Sequence, residues 1–341
     1  MKVTLQQIAD ISGVSIGTVD RALHNRGRIK KEVAERILEV AHNLGYIPSN
    51  SRRNPDAPEL SIGVITFLAN RDFAEKIKHG ILQAKEELRH WKINVTLVNV
   101  NSFDEEDQLK AIDTLLSENI SGLVIMPIDS DLIRSRLNQL TEENGIPVVT
   151  LNADIVGTKR LCYVGIDNRQ GGQIAAEFMA KLTRGRGNIL IITGYLSNFT
   201  NSSRVDGFME VLKSDYPAMN ISGVHCCFDD SEELQSIIIQ CLGTSNDISG
   251  IFVVSAGQDG IEKAFHQLQI KERPFVIVYD NTSITQQALL NNSVDFIIDQ
   301  NCFNQGYQAV YAMANYLTGQ TDFYHKDHAF TDINIKTRFN I

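Results

Sequence analysis

The sequence predicts an α/β protein in which an all-α head precedes two doubly wound parallel-sheet lobes. Three observations carry this. The chain has 341 residues, too many for one ordinary core. Beyond residue 59, short apolar runs alternate with amphipathic stretches, the pattern of parallel strands covered on both faces by helices. Charge is also divided. Residues 1–53 hold nine bases against five acids (+4), leaving 23 bases against 36 acids (−13) in the remainder. An acidic body repels polyphosphate, so nucleic-acid contact falls to the head.

With 43% hydrophobic and 21% charged residues and only 7 prolines, neither disorder nor a fibrous repeat fits. No apolar run approaches the ~20 residues that span a bilayer, and a polar periodic helix follows Thr4 instead of an apolar signal core. A soluble cytoplasmic protein without membrane contact is expected. Cys162, Cys226, Cys227, Cys241 and Cys302 are scattered without metal or redox spacing, so buried free thiols are expected and no metal or cofactor.

The head reads as three helices. Thr4 is placed to cap the first, whose Leu5, Ile8, Ala9 and Ile11 share a side, and Gly13 supplies the backbone where it stops. Ser15 is the N-cap of the second, with Val19, Ala22 and Leu23 inward and Gly17, Thr18, Asp20 and Arg21 outward. Two short helices with a Gly-containing turn make a helix-turn-helix. A third, Lys31 to Leu44, carries Val33, Ile37, Val40, Ala41 and Leu44 as a buried stripe, and Gly45 ends it.

In such a pair the second helix enters the major groove while flanking bases grip phosphates. Arg21 is the candidate for a bidentate guanine contact, with a surface salt bridge as its alternative, and Thr18 suits a phosphate or a base. Arg26, Arg28, Lys30 and Lys31 suit the DNA backbone; in isolation such a run is an ordinary solvated face.

Thr4-Leu5-Gln6-Gln7-Ile8-Ala9, Gly13 through Leu23, and Leu44-Gly45-Tyr46-Ile47-Pro48 together resemble the DNA-binding domain of the lactose-repressor (LacI) family of bacterial regulators. The match runs about fifty residues without a gap. It implies that Ile16, Gly17 and Arg21 read the operator and that Thr4, Ser15 and Thr18 lie at the same surface. Asp20 stands where many relatives have serine.

Residues 49–58 are polar and proline-punctuated, a linker composition. Family members fold a hinge helix here that wedges leucines into the minor groove. By register the leucine position is Pro55 and the alanine is Arg52. A proline does not serve as a helix-borne wedge, which leaves Arg52 and Arg53 to enter the minor groove electrostatically.

In the body, strands are expected at Leu60–Phe67, Val95–Val100, Gly122–Met126, Pro147–Leu151, Asn188–Thr193, Gly250–Val254, Phe275–Asp280 and Val294–Ile298, with helices near 73–89, 105–118 and 131–143. The break between lobes is expected near Asp154–Arg160. The domains are therefore a head of residues 1–48, a linker of 49–59 and a two-lobed effector and dimerisation region of 60–341. Ligands of such sheets sit at strand carboxyl ends, in the cleft between lobes.

Asn70, Arg71 and Phe73 follow the first strand, Asn152 the fourth, and Gln258, Asp280 and Gln300 later ones, while Arg204 opens a helix. Amides, a carboxylate, a guanidinium and an aromatic face suit a polyhydroxylated molecule. Each has an alternative: Asp280 as a helix cap, Arg204 paired with Asp206, Phe73 in the core.

The body resembles the periplasmic-binding-protein-like (type I) sugar-sensing region of the same family, most like its ribose-binding subgroup. The resemblance rests on Asn70–Gly80, Asp167-Asn168 with Gly171-Gly172, Arg204–Phe208, Tyr279-Asp280-Asn281 and Asp299-Gln300. It implies a small sugar or polyol held by Arg71, Phe73, Asn152, Arg204, Gln258, Asp280 and Gln300. Asn152-Ala153 replaces the usual aspartate-arginine pair and Ala74 a second aromatic, which argues against ribose itself. Asp167-Asn168 reads better as a helix cap than as a ligand contact.

No nucleophile elbow, P-loop, dinucleotide fingerprint or His-x-x-x-His pair occurs, so no enzyme is expected. The expected function is a ligand-responsive regulator, most simply a repressor, that binds double-stranded, pseudo-palindromic operator DNA as a homodimer. A solute-binding receptor and a DNA binder with a vestigial cleft are the rivals.

Overall fold

The computed structural model describes residues 3–23, 29–44, 58–67, 71–244, 247–320 and 327–341. The head is α1 (Leu5–Ser12), α2 (Ile16–Leu23) and α3 (Lys31–Asn43). Thr4 closes a capping box on α1: its hydroxyl accepts from Gln7 N–H at 3.3 Å and its own N–H donates to Gln7 Oε1 at 2.8 Å. Gly13 ends the helix at φ 64°. Ser15 caps α2 by accepting from Thr18 N–H at 3.3 Å. Ile8, Ala9, Val19, Ile37 and Ala41 form a small core, flanked by Ala22, Leu23, Val33, Val40 and Leu44. The helical spacing of apolar residues thus becomes one buried face on each helix.

The first lobe runs β1 (Leu60–Phe67), α4 (Arg71–Leu88), β2 (Ile93–Val100), α5 (Glu105–Ser117), β3 (Gly122–Ile125), α6 (Asp131–Glu142), β4 (Val148–Leu151) and β5 (Cys162–Gly165). The second runs α7 (Asn168–Thr183), β6 (Gly187–Thr193), α8 (Phe199–Asp215), β7 (Met219–Cys226), α9 (Ser231–Thr244), β8 (Ile248–Val253), α10 (Asp259–Gln267), β9 (Phe275–Tyr279), α11 (Ser283–Leu290) and β10 (Phe296–Asp299). Then α12 (Cys302–Leu317) returns to pack on α4, and β11 (His328–Phe330) and β12 (Asn334–Lys336) add one strand to each sheet.

The sheet orders are β11-β5-β4-β3-β1-β2 and β12-β10-β9-β8-β6-β7. Every described pairing is parallel except β10 with β12. The runs Ile62–Ile65 and Ile189–Ile192 are buried on both faces, as parallel strands between helix layers must be. Helix pairs touch backbone to backbone. A Cβ on Gly80 would lie 2.0 Å from the Phe303 carbonyl oxygen of α12, and one on Gly172 2.0 Å from the Arg204 carbonyl oxygen of α8.

The break between lobes is not at Asp154–Arg160. That segment belongs to the first lobe, pinned by a half-buried ion pair of Arg160 Nη2 with Asp154 Oδ2 at 2.5 Å, and β5 pairs with β4 beyond it. The first crossing is Ile166–Asp167, followed by Gln300–Asn301 and residues 331–333. Polarity of a loop does not reveal which sheet the next apolar run joins. Thr331 ties the crossings together, its N–H donating to Gly165 O at 2.7 Å and its hydroxyl to Gln300 O at 3.3 Å. Strand β7 was not expected; it is an edge strand with mixed burial and no continuous apolar run. The other expected strands begin and end within two residues of those observed.

Candidate functional site

The carboxyl ends of β6, β8, β9 and β10 converge beside the crossings. Arg204, only 4% exposed, is in the second turn of α8 rather than at its opening. Its Nε donates to Asn168 Oδ1 at 2.9 Å and its Nη1 to Val254 O at 3.0 Å. The guanidinium carbon lies 3.9 Å from the centroid of the Tyr279 ring, a cation–π contact. Asp206 is not its partner. Asp280 follows β9 at φ 69°, and its Oδ1 accepts from Gln300 Nε2 at 2.5 Å. The cap of α11 is Thr282, not Asp280. Burial pushes the Asp280 carboxyl above its ordinary value, against the opposing pull of Arg204 and of the Gln300 bond.

Among the described residues, seven buried side-chain polar atoms have no hydrogen-bond partner, and four cluster here by position. They are Thr193 Oγ1, Ser255 Oγ, the Tyr279 hydroxyl and Gln300 Oε1, at or just past the ends of β6, β8, β9 and β10. Buried polar atoms are normally paired, so this concentration at one end of one sheet makes it the candidate ligand surface.

Other expected ligand residues have duties within the fold. The Gln258 amide donates to Ser255 O at 2.7 Å and Tyr279 O at 3.1 Å, bracing two strand ends. Asn152, at φ 63°, donates to Gln305 Oε1 at 2.9 Å. Phe73 packs against the first-lobe core. Asn70 lies outside the described residues, as does the side chain of Arg71. Asp167 caps α7, accepting from Gln170 N–H at 3.0 Å, whereas Asn168 orients Arg204.

Sequence reasoning missed Gln305, fully buried on α12, and Asp229, whose Oδ1 accepts from Ala256 N–H at 3.1 Å and whose charge helps raise Asp280. It also missed Tyr195 and Phe228, exposed rings 5.4 Å apart on the loops after β6 and β7. A signal was available for Tyr195, which follows the expected strand β6, but not for Phe228 and Asp229, which follow β7, nor for Gln305 inside α12.

In the head, α2 presents exposed Ile16, Gly17 and Arg21. Arg21 Nε donates to Gly17 O at 2.9 Å, and Thr18 Oγ1 is 2.9 Å from Ser15 Oγ. Thr4 is exposed at the start of α1. Arg26, Arg28, Arg52, Arg53 and Pro55 lie outside the described residues.

All five cysteines are free, and burial pushes the Cys162 thiol up to about 12 and that of Cys227 to about 11, so neither is a thiolate nucleophile at neutral pH. Among the described residues no group of three or more His, Cys, Asp or Glu is placed to hold a metal, and no helix is long and apolar enough to cross a membrane.

Residues 4–49 match the bacterial regulatory proteins of the lacI family, and residues 62–321 match the periplasmic binding protein domain. The chain is 30% identical over 216 residues to the probable HTH-type transcriptional repressor ExuR of Bacillus subtilis, a match covering 62% of this chain and 60% of that one. With the HTH-type transcriptional repressor PurR of Histophilus somni it shares 24% over 297 residues, 82% of each. Among solved structures, a sugar-binding protein of a sugar ABC transporter from Bacillus halodurans superposes with a TM-score of 0.76 at 22% identity, covering 82% of this chain and 98% of that one. AraP, an arabinose binding protein from Geobacillus stearothermophilus, gives 0.74 at 24%, covering 83% and 98%. The helix-turn-helix head, absent from a sheet-lobed binding protein alone, decides between these two kinds of relative. The chain carries a lacI-family regulatory head over residues 4–49 and belongs over residues 62–321 to the periplasmic binding protein domain family.

Proposed function

We propose that this regulator is a cytoplasmic homodimer that binds a pseudo-palindromic operator, and that a small sugar or polyol closing the cleft changes its operator affinity. No enzymatic role is part of this reading. The observation that carries it is the set of unpartnered Thr193, Ser255, Tyr279 and Gln300 atoms at the strand ends of the second sheet, with Tyr279 against Arg204 and Gln300 bonded to Asp280. Donors and acceptors in that mixture match adjacent hydroxyls, each of which donates once and accepts twice. The sugar-binding neighbours share the fold alone, so the ligand class rests on this chemistry.

On the DNA side, Thr4, Ser15, Ile16, Gly17, Thr18 and Arg21 are proposed to meet the major groove and its phosphates, with Arg26, Arg28, Arg52 and Arg53 alongside. One head offers too small an interface for specific affinity, and two heads on half-sites a helical turn apart supply it. Closure of the lobes changes head spacing, with a coupling of ~1 to 3 kcal/mol typical of such systems.

A thermal-shift panel of pentoses, hexoses, polyols and cyclitols, followed by titration of a labelled operator at fixed salt with any stabilising compound, tests the reading. A stabilising compound that also changes operator affinity supports it. Intact operator binding with no stabilising compound points to a vestigial cleft, and equal affinity for random and cognate duplex removes the operator assignment.

A further inference from the structure

The lobes meet through one chemistry used twice. Helices α8 and α11 of the second lobe each have a local cap: Asn198 accepts from Asn201 N–H at 3.2 Å, and Thr282 from Thr285 N–H at 3.2 Å. Each cap leaves the N–H of the first helical residue over. In both helices a carboxylate of the opposite lobe takes it. Asp129 Oδ2 accepts from Phe199 N–H at 3.0 Å, and Asp72 Oδ2 accepts from Ser283 N–H at 2.7 Å. The Lys76 ammonium adds a third bridge by donating to Asn281 O.

Both acids are held in place. The loop that presents Asp129 is fixed by fully buried Gln108, whose amide donates to Met126 O at 2.9 Å while its Oε1 accepts from Ile128 N–H at 2.9 Å. Asp72 stands in the first turn of α4, and its bond to Ser283 holds its carboxyl below the ordinary value. A carboxylate at a helix N-terminus also gains from the aligned peptide dipoles.

We propose that Asp72 and Asp129 are positioning residues that set the balance between open and closed cleft, by lending helix caps that only a closed cleft can supply. Lobes that rotate apart strip both N–H groups of their acceptors at once and hand them to water. Closure therefore competes with hydration and stays adjustable, so a ligand needs only to tip it. The consequence for effector response rests on the regulator reading above; the closure itself involves neither ligand nor DNA.

Site-resolved hydrogen exchange on the full chain, with no ligand added, tests this through cross-talk. In Asp129→Ala the acceptor for Ser283 is untouched, yet its amide is expected to exchange at least threefold faster, because the lobes part more often. In Asp72→Ala the Phe199 amide should do the same, and the radius of gyration from small-angle scattering should rise in the double variant. Exchange in β3 and β8 should stay at its wild-type rate. A local role would move only the amide whose acceptor was removed, and that result, with an unchanged radius, would overturn the proposal. If an alanine variant fails to fold, Asp72→Leu and Asp129→Leu keep side-chain size, remove the acceptor and are read by the same cross-talk. A ligand panel that finds nothing leaves this result standing, and the converse also holds.

Discussion

Replacing Asp280 with asparagine separates the ligand site from the fold. The backbone sits at φ 69°, which asparagine tolerates, and an amide oxygen can still accept the Gln300 Nε2 bond. Burial raises the carboxyl although Arg204 and Gln300 both favour its charge, so the native state prefers the neutral acid more than the unfolded chain does. A folded pKa above the unfolded one means proton uptake on folding. The stability this group contributes is complete below the ordinary carboxylate value and is lost as pH rises through the raised one. Asparagine resembles the neutral acid at every pH. Asp280→Asn is therefore expected to match wild type in acid and to be the more stable protein at neutral pH.

Ligand binding runs the other way. Oδ2 and one lone pair of Oδ1 remain to accept ligand hydroxyls, and a charge-assisted bond contributes ~1.5 to 3 kcal/mol. Losing one weakens binding by about 10- to 150-fold. Urea denaturation in acid and at neutral pH, beside effector titration, checks both arms. A variant that loses more than ~1 kcal/mol at neutral pH with an unchanged m-value, or that keeps its full effector response, would refute the reasoning.

Gly172→Ala forces the α8 backbone at Arg204 to retreat from a Cβ at 2.0 Å, so urea denaturation should register a loss of ~1 to 3 kcal/mol or more. Gly80→Ala meets the Phe303 carbonyl equally closely in the first lobe and should cost similar stability, but only the Gly172 variant should also displace Arg204 and weaken effector binding beyond that cost. Asn152→Asp sets a carboxylate against Gln305 Oε1. The amide must then flip to donate and loses its 2.7 Å bond to Gln300 O, so stability should fall and scattering should report altered lobe closure. Arg21→Ala should reduce discrimination between operator and random duplex by ~1 to 3 kcal/mol in competition at fixed salt, while non-specific binding persists.

Periodicity made the elements legible and left their assignment to lobes hidden. The stripe Val33, Ile37, Val40, Ala41 specified α3 because a helix of that length has one face to bury. Likewise Leu60–Phe67 was readable as β1, since a strand between two helix layers is apolar at nearly every position. Neither kind of pattern records a partner. β5 joined the first sheet instead of opening the second, and α12 left the second sheet for α4, because crossings are made by tertiary packing. Part of the candidate site was legible for the same reason the strands were: Asp280 and Gln300 directly follow apolar runs, and the fold brings Arg204, from the second turn of α8, into their neighbourhood. Asn168 was read with Asp167 only as a helix cap, and Gln305 escaped altogether, because each acts through another residue.

Those two residues give the proposed ligand in the second lobe a hydrogen-bonded route to the first. Arg204 is oriented by Asn168, whose amide donates to the Tyr163 hydroxyl at 3.3 Å; that hydroxyl in turn donates to Asn152 O at 3.0 Å. Asp280 is held by Gln300, whose carbonyl accepts from Gln305, and Gln305 Oε1 accepts from Asn152 Nδ2. Two separate chains of hydrogen bonds thus run from the proposed ligand groups to Asn152, one through its carbonyl and one through its amide. Both pass a crossing between lobes, at residues 166–167 and at 300–301. In a low-dielectric interior each member is costly to leave unpaired, so such a network favours a few discrete arrangements over a continuous deformation. Asn152 thereby has a reason to be an asparagine that is independent of any contact with ligand: its side-chain amide donates to Gln305 Oε1, and its backbone sits at φ 63°, which asparagine tolerates. A ligand that fixes the direction of Arg204 and Asp280 selects among those arrangements, and the carboxylate caps of Asp72 and Asp129 decide how much of that selection it must supply.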